Sequence, residues 1–356
     1  MTNTSPLRPT PGRLTQGDEP YRPGYHFSPT RNWMNDPNGL VYHAGTYHLF
    51  FQHNPHGDQW GNMSWGHATS DDLLSWTEQP LAIPQTFDDH GRSIEDVFSG
   101  SVVVDHDNTS GFGTAEDPPL VAVYTSAYTL DHPRRALKQA QSLAYSTDGG
   151  YRWTKYDRNP VVDRDSTDFR DPKVFRYRSD TSGERYWVMV AVEAVERQVV
   201  IYRSEDLRTW RYLSTFGPAN AVAGVWECPD LFELPVGDNP GDTRWVLVVS
   251  LNPGSIAGGS GAQYFVGAFD GVTFTSENTG AGSDDYLWLD WGRDHYAAVS
   301  YDNAPGSKRI MTGWMNDWTY AGSLPTSGWR SNMTLPREVT LTGSRRTDRA
   351  EPASGC

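Results

Sequence analysis

The sequence predicts an all-β fold and, within that class, a five-bladed β-propeller. Two observations carry the prediction. Short segments with the alternating apolar pattern of strands recur along the chain, and a Ser–Asp–Trp pattern returns roughly every 60–75 residues. Long apolar stripes with helical spacing are missing, while 34 glycines and 24 prolines supply frequent turns.

The strand segments begin near the N-terminus. Residues 40–52, LVYHAGTYHLFFQ, contain two alternating runs around a glycine, which predicts a hairpin. The same alternation is found in five later segments: SVVVD, LVAVYTS, RYWVMVAV, QVVIYRS and RWVLVVSL. These runs are too short for helices of a packed domain, and together they predict antiparallel sheets.

The Ser–Asp–Trp pattern predicts how the strands are grouped. It occurs at 70–76 (SDDLLSW), 146–153 (STDGGYRW) and 204–210 (SEDLRTW), with a degenerate copy at 269–274 (FDGVTF). In each copy the aspartate should form a turn, and the aromatic residue should start the next strand by packing inward. A four-stranded blade with its loops has about this length, so residues 32–341 leave room for five blades. A β-sandwich is the alternative, but it does not explain the period.

Three segments are predicted: a flexible leader over residues 1–24, a propeller over 25–341 and a disordered tail over 342–356. The first 30 residues lack the apolar segment of a secretory signal, so the chain as written is expected to be cytoplasmic. An incomplete N-terminus or another export route would allow secretion. The longest apolar runs have the length of a strand and are too short to span a membrane.

Composition restricts the class of ligand. A net charge of −14 argues against nucleic acid, an anionic membrane surface and polyanionic substrates. The 14 Trp and 18 Tyr suit a neutral carbohydrate, because aromatic faces pack against the C–H faces of sugars. The two cysteines, Cys228 and Cys356, cannot build a disulfide framework or a zinc site. No metal and no cofactor are predicted, and the oligomeric state is left open.

Three acidic residues stand close before prolines: Asp36 and Asp171 directly precede one, and Glu227 stands two residues before Pro229. A residue before proline favours extended backbone, so each is expected at a strand end or at the start of a turn. After the first of them, Asn38–Gly39 is expected to complete a tight turn. Because the inner strands of a propeller converge on its axis, the three carboxylates could meet in an axial pocket. For each one taken alone, an ordinary turn role is the alternative.

Cleavage of a glycosidic bond needs such a set, since one carboxylate must be ionised while another is protonated. Their environments must therefore separate two similar pKa values. Asn35 and Arg170, beside the two aspartates, are donors that would keep an acid ionised. Glu227, between Trp226 and Cys228, has the more apolar setting expected of a proton donor.

The motifs around these acids resemble the three signatures of glycoside hydrolase family 32, the β-fructosidases that include invertases, inulinases and levanases. They are WMNDPNG at 33–39, FRDP at 169–172 and WECPD at 226–230. NMSWGHATSDDLLSW, FSGS and TLPREV match as well, and the resemblance covers about residues 25–341. It implies a five-bladed propeller with a funnel-shaped axial site, usually followed by a β-sandwich module that is not recognised after residue 341.

The resemblance also implies a retaining mechanism. Asp36 would be the nucleophile that forms a fructosyl-enzyme intermediate, Glu227 the general acid/base, and Asp171 the residue that holds sugar hydroxyls and stabilises the transition state. A retaining pair has carboxyl groups about 5 Å apart. The fructose pocket would be lined by Asn35, Gln52, Trp60, Ser99, Arg170 and Trp314.

The tetrapeptide WMND occurs a second time, in GWMNDW at 313–318. By the resemblance, this copy contributes Trp314 as an aromatic surface beside the fructose, while Asp317 is a rim or turn residue. Other segments look most like exo-acting inulinases and levanases. The predicted activity is therefore release of terminal fructose from levan or inulin, and from sucrose.

Three alternatives stay open at this point. Inverting arabinanases and xylosidases share the fold and an acidic trio, although they keep only fragments of WMNDPNG. A fructosyltransferase of the same family differs only in the acceptor that reaches the intermediate. A non-catalytic or inactive truncated propeller that binds fructan would be expected to lose a catalytic carboxylate, and none of the three is lost.

Overall fold

The protein is described by a computed structural model over residues 19–114, 116–179, 181–237, 239–279, 282 and 286–343. Within these ranges there is no α-helix, and 3-10 turns lie at Pro305–Ser307 and Ala321–Ser323. No helix in the described part of the chain is long and apolar enough to cross a membrane. Most of the predicted leader (1–18) and tail (344–356) lies outside the described residues.

The strands form a five-bladed β-propeller, as predicted. Blade one contains β1 (Asn32–His43), β2 (Thr46–Asn54), β3 (Ser64–Ser70) and β4 (Thr77–Ile83). Blade two contains β5 (Thr86–Phe87), β6 (Ser93–Val104), β7 (Leu120–Tyr128), β8 (Gln139–Ser146), β9 (Thr154–Lys155) and β10 (Val162–Ser166).

The remaining blades follow in chain order. Blade three contains β11 (Phe169–Arg178), β12 (Arg185–Glu193), β13 (Gln198–Ser204) and β14 (Arg211–Phe216). Blade four contains β15 (Val225–Val236), β16 (Asn239–Asn252), β17 (Gly261–Phe269), β18 (Phe274–Ser276) and β19 (Leu287–Trp288). Blade five contains β20 (Tyr296–Ser300), β21 (Ile310–Trp314) and β23 (Arg337–Glu338), while β22 (Trp329–Arg330) joins the sheet of blade one.

The inner strands of the blades are β1, β6, β11, β15 and β20, and each contacts the next around the axis. The ring closes between blades five and one. There β22 pairs in parallel with the start of β1, and the backbone N–H of Tyr42 donates to the carbonyl of Asp302 at 3.0 Å. The closure places the inner strands side by side, so residues at one level of neighbouring strands can share a pocket.

The Ser–Asp–Trp repeat marks the connection from the third to the fourth strand of a blade. In blade one, Asp72 Oδ1 accepts the backbone N–H groups of Leu74 and Ser75 at 2.8 and 2.6 Å. The aspartates of the other copies accept backbone N–H groups in the same way: Asp148, Asp206 and Asp270. In the first three copies the Trp directly precedes the fourth strand, so the turn predicted from the repeat is confirmed.

Each inner strand contains a β-bulge, seen as a shift in its register with the second strand of the blade. The shifts lie between Met34 and Pro37, Phe98 and Gly100, Arg170 and Lys173, Glu227 and Asp230, and Tyr296 and Val299. A bulge leaves residues unpaired and re-aims their side chains. The same irregularity therefore recurs in every inner strand, next to the acidic motifs in three of them.

The backbone around the acidic motifs differs in part from the prediction. Asp36, Asp171 and Glu227 lie within long strands rather than at strand ends, and Asp171 has a left-handed φ of 62°. The tight turn expected at Asn38–Gly39 is also wrong, because both residues belong to β1. Gly39 has a φ of 54°, and a Cβ atom there would lie 2.7 Å from Phe50 Cδ2, so this position favours glycine for conformation and for space.

Candidate active site

The inner strands enclose a pocket of about 350 Å³. Its lining residues are Asn35, Asp36, Gln52, Trp60, Phe98, Ser99, Gln139, Arg170, Asp171, Glu227 and Trp318. The structure thus brings together all three predicted carboxylates and every predicted substrate-binding residue except Trp314. This convergence follows in part from the bulges of β1, β6 and β11, whose unpaired residues include Asp36, Ser99 and Asp171, while Glu227 is the last paired residue before the bulge of β15.

Asp36 is held by two neutral donors. Asn35 Nδ2 donates to its Oδ1 at 3.0 Å, and Ser99 Oγ donates to its Oδ2 at 2.7 Å. The amide of Asn35 is itself oriented, because Trp33 Nε1 donates to Asn35 Oδ1 at 2.7 Å. Burial, followed by the charge of Glu227, raises the pKa of Asp36, and the two donors oppose that rise. The predicted role of Asn35 as a donor to this acid is confirmed by the contact.

Asp171 is the most enclosed acid of the pocket, at 6% exposure. Its backbone N–H donates to Thr125 Oγ1 at 2.9 Å, and its Oδ2 accepts the backbone N–H of Cys228 at 2.9 Å. Burial and the neighbouring charge of Glu227 raise the pKa of Asp171 to about 7, while the charge of Arg170 opposes them. This carboxyl therefore exchanges its proton near neutral pH.

Glu227 receives a different donor on each of its oxygens. Arg170 Nε donates to Oε1 at 3.0 Å, and the hydroxyl of Tyr296 donates to Oε2. The apolar setting expected for Glu227 is wrong, because its carboxyl group contacts two polar donors. Its neighbour Trp226 is fully buried and donates to the carbonyl of Ala221. The hydrogen bond expected from Arg170 to its neighbour in sequence goes to Glu227, although Arg170 and Asp171 both line the pocket and the charge of Arg170 still opposes the rise in the pKa of Asp171.

Cys228 lies between the two aspartates. Its Sγ is 3.6 Å from Oδ2 of Asp36 and 3.6 Å from Oδ2 of Asp171. Burial and the surrounding carboxylates raise the pKa of this thiol well above its ordinary value, so it stays protonated. The cysteine is accordingly a weak donor shared by two acids and has no thiolate character.

The second WMND copy contributes a different tryptophan from the one expected. Trp314 is fully buried among apolar side chains and does not line the pocket, whereas Trp318 does. Their ring centroids are 4.9 Å apart, and Trp318 also stacks on Trp33 at 5.9 Å. Trp314 ends β21 and points into the core, and the pocket is reached only after the chain turns, four residues later.

Asp317 organises that turn. Its Oδ2 accepts the backbone N–H of Ser260 at 3.0 Å, and its Oδ1 accepts the backbone N–H of Thr319 at 2.8 Å. The predicted turn role is therefore confirmed, but the rim position is wrong because Asp317 is fully buried. The contact also links the loop of blade four to the segment that carries Trp318.

Several pocket residues had not been predicted. Phe98 and Gln139 line the cavity, and Phe98 meets the half-exposed ring of Trp60 at 6.0 Å to form an aromatic edge. Phe98 stands in the FSGS motif, which offered a signal for it. Gln139 carried no such signal, and neither did Tyr296, which bonds to Glu227 without lining the pocket, since their positions depend on how β8 and β20 are placed around the axis.

The side chain of Gln52 is held in place by a hydrogen bond, which its Nε2 donates to the carbonyl of Val97 at 3.0 Å. Arg170 is fixed beside it in the pocket by Gln139 Oε1 and Asp168 Oδ1, at 3.3 and 3.4 Å from its Nη1. In the part of the chain that the structure describes, no group of three or more His, Cys, Asp or Glu could hold a metal ion.

Comparison with known proteins adds a family to this geometry. Residues 26–351 match the family described as "Glycosyl hydrolases family 32 N-terminal domain". The chain is 51% identical over 328 residues to a levanase of Bacillus subtilis, covering 91% of this chain and 45% of that protein. It is 49% identical over 343 residues to an extracellular exo-inulinase of Aspergillus niger, covering 91% of this chain and 63% of that protein.

A solved structure is similar over the same extent. The crystal structure of exo-inulinase from Aspergillus awamori matches with a TM-score of 0.85 and 47% sequence identity, covering 91% of this chain and 65% of that chain. The chain therefore spans between about half and two thirds of the length of the proteins that it matches.

Proposed function

Because the chain belongs to glycosyl hydrolase family 32, we propose that it is a retaining β-fructosidase. It releases terminal fructose from levan or inulin, and from sucrose, through a fructosyl-enzyme intermediate. The observation that carries the proposal is the convergence of Asp36, Asp171 and Glu227 in one pocket with distinct hydrogen-bond partners for each. Retaining glycosidases need one carboxylate as nucleophile and a second carboxyl as acid and then base.

Asp36 is the nucleophile of the proposed reaction. Its carboxylate attacks the anomeric carbon in the ionised form, which the donors Asn35 and Ser99 stabilise against the cost of burial. Neutral donors leave the carboxylate reactive, whereas a bonded cation would hold its negative charge more firmly. Among the residues that the structure describes, no cation bonds to Asp36, and Arg170 bonds to Glu227 instead.

Glu227 is the general acid and then the general base. It lines the pocket and keeps 21% of its side chain exposed, so a glycosidic oxygen or a water molecule can reach it. In the first step its proton passes to the leaving oxygen while Asp36 bonds to the anomeric carbon. In the second step Glu227 takes a proton from water, whose oxygen displaces Asp36 from that carbon.

Asp171 holds the sugar in place. Because its pKa lies at about 7, it can accept a hydrogen bond from one sugar hydroxyl when ionised or donate one when protonated. A buried group of this kind gains strength from the low dielectric of the pocket. It supports the transition state by orienting hydroxyls beside the reacting carbon.

The pocket dimensions support a terminal sugar as ligand. A volume of about 350 Å³ is near the lower end for ligand sites, which favours one fructosyl unit over a continuous polymer. Trp60, Phe98 and Trp318 supply aromatic faces for the C–H groups of the ring. Levan and inulin are the polymers suggested by the names of the levanase and the exo-inulinase.

Product analysis tests the proposal. Purified protein is incubated with levan, inulin and sucrose, beside the Asp36→Asn and Glu227→Gln variants and an Asp131→Asn control at an exposed site outside the pocket. Fructose release is expected from the wild type and the control, with losses of about 10²–10⁴-fold or more in the other two. Added methanol should trap a methyl β-fructoside, the product of retention. A folded wild type that releases no sugar from any of the three substrates would refute the activity.

A further inference from the structure

The two oxygens of Glu227 face partners of different chemistry. Oε1 accepts a hydrogen bond from Arg170 Nε at 3.0 Å. A guanidinium carries only donors and stays protonated, so Oε1 is committed to accepting. Oε2 faces the hydroxyl of Tyr296, which can either donate or accept. The carboxyl group is therefore asymmetric before any substrate binds.

We infer that Tyr296 is a positioning residue that keeps the acidic proton of Glu227 on Oε2. The inference rests on the proposed function, because it assigns the proton of the general acid to one of its two oxygens. A proton on Oε1 would point at an N–H group of Arg170 and would break that hydrogen bond. A proton on Oε2 leaves the hydrogen bond from Arg170 to Oε1 intact. It also lies beside the hydroxyl of Tyr296, which can accept a hydrogen bond as well as donate one.

The proton balance of the reaction follows. With Glu227 ionised, Tyr296 donates to Oε2. With Glu227 protonated on Oε2, the hydroxyl hydrogen of Tyr296 rotates away from Oε2, and the oxygen of Tyr296 can accept the new O–H group. In the first step the C–O bond to the leaving group breaks, Asp36 bonds to the anomeric carbon, and the proton moves from Oε2 to the leaving oxygen. In the second step water bonds to that carbon, Asp36 leaves, and a water proton returns to Oε2.

Tyr296 acts through Glu227 and not on the substrate. It is 1% exposed, and it is not among the residues that line the pocket. It begins β20, the inner strand of blade five, while Arg170 comes from blade three, so the two donors hold the blade-four glutamate from both neighbouring blades. This fixes the direction of the carboxyl plane as well as the place of its proton.

The charged and titratable groups that face Glu227 are Asp36, Asp171, Arg170 and Cys228, in addition to Tyr296. Burial and the charge of Glu227 raise the pKa of Tyr296 well above its ordinary value, so the hydroxyl stays neutral throughout the working range. Among the described residues, Tyr296 is the one hydrogen-bond partner of this carboxyl that can change from donor to acceptor.

The test compares the pH profile of Tyr296→Phe with that of the wild type on sucrose or inulin. Ionised Glu227 loses a charge-assisted donor, so the basic limb of kcat/KM should move up by about 0.5–1 pH unit. The value of kcat on these substrates should fall by about tenfold or more, because the proton is no longer held on one oxygen. On β-fructosyl fluoride, whose leaving group needs little help from an acid, the loss should be less than about threefold.

Tyr301→Phe is the matched control. Tyr301 is equally buried in blade five and lies outside the hydrogen bonds of Glu227, so its loss should leave the pH profile unmoved. Replacing Tyr296 by 3-fluorotyrosine provides a second variant that keeps the shape of the ring. The more acidic hydroxyl is a stronger donor to ionised Glu227, so the basic limb should move to lower pH.

The outcomes separate this inference from the proposed function. A folded wild type inactive on every fructoside would refute the activity itself. An active wild type combined with an unmoved basic limb in both position-296 variants, or equal losses on the fluoride and on sucrose, would refute the role of Tyr296 alone. If Tyr296→Phe does not fold, the 3-fluorotyrosine protein alone tests the role of Tyr296. A basic limb at lower pH than in the wild type supports that role, and a limb that stays in place or moves to higher pH refutes it.

Discussion

The hydroxyl of Ser99 donates a 2.7 Å hydrogen bond to Oδ2 of Asp36, joining the inner strands of blades two and one at the pocket. The contact links two motifs, FSGS and WMND, that lie 63 residues apart in sequence. It is one of the contacts that oppose the rise in the pKa of Asp36 caused by burial. The ionised form that the proposed reaction needs thus depends on a residue from a neighbouring blade.

Ser99→Ala should make Asp36 harder to ionise. Losing the donor destabilises the carboxylate, so the acidic limb of the kcat/KM profile should move up by about 0.5–1 pH unit. At pH values well below the acidic limb this should lower activity by about three- to tenfold. Ser93→Ala, in the same strand but outside the pocket, is the control. An acidic limb that stays in place would contradict the role assigned to the contact.

Asp171→Asn should stabilise the protein while abolishing activity. An acid whose folded pKa is raised binds its proton more tightly in the folded state than in the unfolded chain. The free energy of unfolding therefore decreases as pH rises from the unfolded pKa of about 3.9 through the folded value of about 7. The amide of the variant does not titrate. The free energy of unfolding of the variant should therefore exceed that of the wild type by an amount that grows over this range, up to about 4 kcal/mol above pH 7.

Urea unfolding of both proteins at a series of pH values between about 4 and 8 measures this gain. The difference in unfolding free energy should be small at the acidic end and largest at the basic end. A constant difference would mean that the pKa of Asp171 is the same in the folded and the unfolded protein. A sign opposite to this one would mean that its carboxylate is stabilised on folding.

The sequence predicted the blades better than the directions of individual side chains. The Ser–Asp–Trp turns are local, since the aspartate bonds to backbone groups two and three residues away, and local chemistry is visible in a sequence. The motifs around Asp36 and Glu227 were likewise sufficient to collect the three acids in one pocket. What they could not provide was the bulge in each inner strand, through which two consecutive residues, such as Asn35 and Asp36, can face the same pocket.

Two errors show the physical reason. Arg170 was expected to donate to its sequence neighbour Asp171, but its guanidinium donates to Glu227 on the next blade. The apolar neighbours of Glu227 in sequence point elsewhere, while its actual partner Tyr296 is 69 residues away. Contacts between blades depend on register and closure of the ring, and no periodicity in the chain encodes them.

Acid should destabilise the protein through a buried histidine pair. His48 Nδ1 and His67 Nε2 lie 3.0 Å apart, and burial lowers their pKa values to about 4 and about 3. A histidine with a depressed pKa stabilises the folded state fully above its unfolded value of about 6.5, and this contribution is lost as pH falls toward the folded value. The contribution of the histidine pair to the unfolding free energy should thus decrease by about 3 kcal/mol or more between about pH 6.5 and 4, against the opposite contribution of Asp171 over the same range.

His67→Gln should make that dependence shallower, because the amide can still bond to His48 but cannot bind a proton. Thermal unfolding measured across the same range provides the slope, with the exposed His90→Gln as a control that leaves it unchanged. Equal slopes in the His67 variant and the wild type would show that other groups dominate the acid response.

The two tryptophans of the second WMND segment should separate binding from stability. Trp318 lines the pocket and is partly exposed, so Trp318→Ala should raise KM for fructosides by about tenfold, as expected when an aromatic contact worth about 1.4 kcal/mol is lost. Its effect on unfolding should be modest. Trp314 is fully buried, so Trp314→Ala should cost about 3–5 kcal/mol of unfolding free energy through the cavity that it leaves.

A less drastic pair keeps both proteins folded for the kinetic comparison. Trp314→Phe retains most of the buried volume and should leave KM near that of the wild type, while Trp318→Phe keeps an aromatic face and should recover part of the lost binding. A rise in KM confined to the Trp314 variants would instead place that residue next to the sugar. The centroids of the two rings are 4.9 Å apart. A double-mutant cycle with Trp314→Ala and Trp318→Ala should therefore show a coupling free energy of about 0.5–1.5 kcal/mol in stability, the range expected for a touching aromatic pair.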